Sequence, residues 1–78
     1  GEKGDMKMVE VKKLGVELQI NDLVSVWWKK KGVRLIEKRP HPNYKKQFGI
    51  DGATIGNFDG TEMTIEPDMI YTVFDYSK

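Results

Sequence analysis

Seventy-eight residues without a cysteine make one small domain or part of one and exclude disulfide staples, thiolate catalysis and cysteine-based zinc sites. Hydrophobic residues at 38%, charged residues at 32% and a mean hydropathy of -0.56 argue against disorder, and no stretch approaches the ~20 apolar residues that a helical membrane span needs. The formal charge of +1 hides a split: residues 29–46 hold eight basic side chains and one acid, whereas 47–78 hold six acids and one lysine. Segregation of that kind can raise a local field of several kT where the total charge would raise none.

In chain order, residues 1–5 are polar, and 1–6 are predicted to be a flexible N-terminus ahead of a single domain over 7–78. Gly1-Glu2-Lys3-Gly4-Asp5-Met6 also fits two Gly-X-Y triplets, as at the end of a collagen-like stalk. Residues 6–11 can add a strand, with either parity. Leu14, Val16, Leu18 and Ile20 alternate with Gly15, Glu17 and Gln19, which predicts a half-buried strand that Asn21-Asp22 breaks. Val24, Val26 and Trp28 form the next alternating run. A turn at 29–32 then pairs Trp28 with Val33 and Val26 with Leu35, placing those residues and Val24 on the core face and Trp27 and Arg34 outward.

From Arg39 to Lys46, prolines and lysines predict a long exposed loop, with Phe48 and Ile50 starting a short strand. Asp59-Gly60 marks a hairpin. A three-residue loop, Phe58-Asp59-Gly60, aligns Ala53, Ile55, Thr61, Met63 and Ile65 and is preferred over a two-residue turn, which mixes apolar with acidic positions. Glu66-Pro67-Asp68 is a turn, and 69–74 form a final strand rich in β-branched and aromatic residues.

Short strands at regular spacing with no credible helix predict an all-β fold, a small five-stranded barrel. The run Ile20-Asn21-Asp22-Leu23-Val24-Ser25-Val26-Trp27-Trp28, followed by Lys31-Gly32-Val33-Arg34-Leu35-Ile36, resembles the opening hairpin of Src-homology-3-like barrels of the KOW/Tudor type. In those modules a tight polar turn precedes a Val-x-Val strand, and a short helical turn, here at Pro67, precedes the last strand. Asn21 stands where they usually carry glycine. The resemblance spans roughly residues 14–74 and implies a binding module.

No phosphate-binding glycine loop or nucleophile elbow is present, and the single histidine, His41, lies between two prolines in an expected loop. Neither catalysis, a metal nor a cofactor is expected. The candidate site is the basic segment: Lys29, Lys30, Lys31 and Arg34 on the hairpin, Arg39, Lys45 and Lys46 on the loop, with Trp27 and Tyr44 as stacking surfaces. Basic charge supplies sequence-independent phosphate affinity, and aromatic stacking adds about 1–3 kcal/mol per base on single strands. Nucleic acid is the first expected partner. The alternatives are a protein or peptide partner, held by the exposed aromatics, and an assembly or structural role. No membrane partner is expected, and the absence of cysteine and of a signal sequence points to the cytoplasm.

Overall fold

The computed structural model describes residues 8–43, 46–47, 49 and 51–76. Among them run six strands, β1 (Val9–Leu14), β2 (Leu23–Val26), β3 (Lys29–Pro40), β4 (Thr54–Phe58), β5 (Thr61–Ile65) and β6 (Ile70–Asp75). They form one antiparallel sheet in the order β1-β6-β2-β3-β4-β5. The fold is all-β, as expected, but it has six strands rather than five. The sheet is open rather than closed into a barrel, because among the described residues β1 and β5 remain its two edges. The twelve-residue β3 belongs to both halves: it pairs with β2 up to Arg34 and with β4 from Leu35 onward, with an irregularity in the second ladder between Leu35 and Glu37. A bulge of that kind bends a strand and increases its twist, so the two halves fold toward each other. Their inner faces bury Val24, Val26, Val33, Leu35, Phe58, Ile65 and Val73, with Trp28, Met63 and Tyr71 packed against the cluster. Each such side chain is worth about 1.5–3 kcal/mol when fully buried.

The sixth strand comes from the segment whose parity was open. Val11 faces the buried Val73, and β1 ends at Leu14. The expected strand over 14–20 does not form. Gly15 starts a 3₁₀ turn, Gly15–Glu17, and its backbone lies so close to the 66–67 turn that a Cβ would overlap the Glu66 carbonyl. The Gly15 and Val16 N–H groups donate to Met69 O at 2.9 Å and Pro67 O at 3.2 Å, and the Leu14 N–H donates to Glu17 Oε1 at 2.8 Å. These bonds replace a strand ladder. Of the four apolar residues in that run only Leu18 is buried; Val16 is 64% exposed.

Both hairpin registers differ from expectation. In β2–β3, Val33 faces Val24 rather than Trp28, and the turn is Trp27-Trp28 rather than 29–32. The pairing slides by four residues. An even slide keeps every side chain on its face, so Val24, Val26, Val33 and Leu35 are buried all the same. In β4–β5, Phe58 pairs with Thr61 across a two-residue Asp59-Gly60 turn, with φ of 55° and 102°. The three-residue loop is therefore excluded. Phe58 is a core residue, and Gly56 clears its place: a Cβ at Gly56 would sit 2.6 Å from Ile65 Cδ1 and 2.8 Å from Phe58 Cε2. Packing of Phe58 outweighs the segregation of Ile55 from Glu62.

Candidate functional site

The β2–β3 hairpin tip is the most prominent cationic and aromatic feature among the described residues. Neither Trp27 nor Trp28 has a positive φ, so the turn is not of the mirror-image type that matches strand twist. The mismatch is absorbed next door. Between the Val24–Val33 and Val26–Lys29 pairs, β3 carries two residues more than β2, and Gly32 takes a φ of 107°. The irregularity lifts Lys30 and Lys31 out of regular pairing. Lys29, Lys30 and Lys31 are exposed, and no hydrogen bond or ion pair among the described residues engages their side chains. Trp27 is 78% exposed and stands edge-on to Trp28, ring centroids 5.4 Å apart at 80°. Trp28 in turn meets Phe58 edge-on at 6.2 Å. One indole is thus anchored in the core and the other is presented to solvent on its edge.

The rest of the basic segment does not join this tip. Arg34 is exposed but donates through Nη1 to Asn21 O at 2.6 Å. Arg39 lies past the bend, where Nη2 meets Glu62 Oε2 at 2.8 Å and Nη1 meets Glu37 Oε1 at 3.7 Å. The expected loop begins late, because β3 runs to Pro40, and it is closed by the His41 N–H donating to Ala53 O at 3.1 Å. Tip and loop therefore lie at opposite ends of β3 rather than side by side. Lys46 is exposed in that loop; Tyr44, Lys45, Phe48 and Ile50 fall outside the described residues.

Lys38 belongs to the basic run by sequence yet is structural. Its ammonium donates to Leu18 O at 2.9 Å and Gly15 O at 3.1 Å, tying β3 to the 3₁₀ turn. Burial pushes its pKa below the ordinary lysine value, a shift that the nearby Asp22 charge partly offsets. Sequence alone carried no sign of this, since the carbonyls it meets lie some twenty residues away. A cleft of about 360 Å³ beside β1 and β6 is lined by Val11, Lys13, Asp22, Arg34, Phe74 and Tyr76. Its charges are already satisfied, Lys13 Nζ lying 3.0 Å from Asp22 Oδ2. Among the described residues no group of three or more potential ligands could hold a metal ion, and no helix is long and apolar enough to cross a membrane. No protein family, curated protein or solved structure matches the chain.

Proposed function

We propose that the chain is a non-enzymatic binding module that engages single-stranded nucleic acid through the β2–β3 tip. One observation carries this: Trp27, 78% exposed, stands one residue ahead of three lysines, Lys29 to Lys31, without partners among the described residues. The lysines supply phosphate affinity and Trp27 supplies a stacking face. A Src-homology-3-like architecture is part of the same proposal. Supporting it are the consecutive antiparallel strands β2 to β5, the short turn before β6, and Asn21, whose φ of 81° is the left-handed geometry glycine would supply there. A cytoplasmic setting belongs to it too, motivated by the lack of cysteine.

Titrating labelled protein with single- and double-stranded oligonucleotides at two salt concentrations tests the proposal. Chemical-shift changes should centre on Trp27, Lys29, Lys30 and Lys31. Replacing Lys30 and Lys31 together should flatten the salt slope by about two phosphate contacts, and Trp27→Ala should weaken single-strand binding by about 1–3 kcal/mol at an unchanged slope. No detectable binding at ~50 mM salt, where screening is weak, rejects nucleic acid. The exposed Trp27 would then favour a protein partner, since tryptophan is a frequent interface anchor.

A further inference from the structure

Among the described residues β1 pairs on one side only, with β6. Every second backbone N–H and C=O of Val9–Leu14 therefore points away from the sheet, with no strand beside it among the described residues. Glu10, Lys12 and Leu14 share the outer face with their β6 partners Phe74, Thr72 and Ile70, and Met8 continues that row. The ends of the row are apolar and wet: Met8 is 47% exposed and Ile70 64%.

We propose that β1 pairs antiparallel with β1 of a second copy of this chain, about a two-fold axis at Val11. Such an axis stands normal to the sheet and keeps each face on its own side, so paired residues must share parity. Centring on Val11 sets Glu10 against Lys12 of the second copy, and Lys12 against its Glu10. It also sets Met8 against Leu14 at both ends, beside the exposed Ile70. The adjacent registers are excluded by charge: centring on Lys12 opposes Lys12 to itself, and centring on Glu10 opposes Glu10 to itself. Lys13, on the inner face, is neutralised by Asp22 at 3.0 Å. Lys12 donates to Thr72 Oγ1 at 2.6 Å and keeps two further N–H groups for a carboxylate. The other edge has no such match, because centring β5 on Met63 opposes Glu62 to Thr64, and Glu62 is held by Arg39. A charge order that complements itself in one register selects a copy of this chain as the occupant. β6 separates β1 from β2, so the pairing leaves the hairpin tip uncovered and stands apart from what the tip binds.

Sedimentation equilibrium of the full chain up to ~1 mM should show a reversible monomer–dimer equilibrium. Glu10→Lys and Lys12→Glu should each raise the dissociation constant roughly tenfold or more, because both cross-strand pairs become like-charged. Mixing the two variants should restore association as a heterodimer, since every pair is then opposite in charge. The chain has no cysteine. Under oxidation Val11→Cys should cross-link to itself, whereas Val9→Cys, whose two copies would lie ~14 Å apart along the strands, should not. Far-UV dichroism checks that each variant is folded, and the cysteine pair tests the register without altering a charge. A chain that stays monomeric at ~1 mM, charge variants that associate like wild type, or cross-linking at Val9→Cys as ready as at Val11→Cys would overturn the proposal.

Discussion

The two tight hairpins reach the same loop length by opposite means. At Asp59-Gly60 both turn residues have positive φ, the Asn57 side chain accepts the Gly60 N–H at 2.7 Å, and the strands leave in register. At Trp27-Trp28 the φ angles are ordinary, and the mismatch is displaced into β3, where Gly32 carries it. The first turn closes a hairpin and presents little beyond it. The second holds one tryptophan against Phe58, exposes the other and throws three lysines outward. A turn whose strain is moved into the neighbouring strand can present side chains that a self-contained turn would not need.

Phe58 borders the turn of the regular hairpin and also supports Trp28, so Phe58→Ala should have the largest effect. A loss of about 3–5 kcal/mol is expected, enough to unfold much of a domain this small, and thermal melting would show it. Equal stability of wild type and variant would dissociate the tip from the core. The glycines sharpen the comparison. Both Gly32 and Gly60 have positive φ, but a Cβ at Gly32 meets Leu23 Cγ at 2.8 Å, whereas nothing lies within 4 Å at Gly60. Gly32→Ala should cost about 2–3 kcal/mol and Gly60→Ala about 1 kcal/mol in urea unfolding; the reverse order would place the strain in the wrong hairpin.

Within the tip, Trp28→Ala should cost about 2 kcal/mol, because the ring is only partly buried, and Trp27→Ala less than about 0.5 kcal/mol. Melting temperatures of the two variants report the order directly. The smallest effect concerns the lysines of β3. The Lys38 pKa is depressed by burial, so between that value and the ordinary one the unfolded chain binds more protons than the folded one. Stability should therefore rise with pH through that alkaline window, relative to a Lys38→Met variant, and below it the burial of the charge opposes folding in full. A difference between wild type and variant that falls with rising pH would mean that the bonds to Gly15 O and Leu18 O, which favour the ammonium, outweigh its desolvation.

For the candidate site, the exposed Trp27 and the run Lys29, Lys30, Lys31 were legible, because aromatic and basic residues beside a turn stand out locally. The separation of Arg39 from them was not, since it follows from the unforeseen length of β3, and neither was the inward course of Lys38. For the fold, alternation by itself determined the all-β class, and it determined the core membership of Val24, Val26, Val33, Leu35 and Ile65. Parity is a local property, and it survives an even slide in register. Asn21-Asp22, Asp59-Gly60 and Pro67 likewise marked their turns through backbone preferences that need no partner. Only the tertiary structure decided that 14–20 would bond to the 66–69 turn instead of a strand, that β1 would lie on β6 and that Phe58 would fill the space above Gly56. Those choices depend on which distant groups satisfy a backbone or a cavity, and residue spacing along the chain does not encode that.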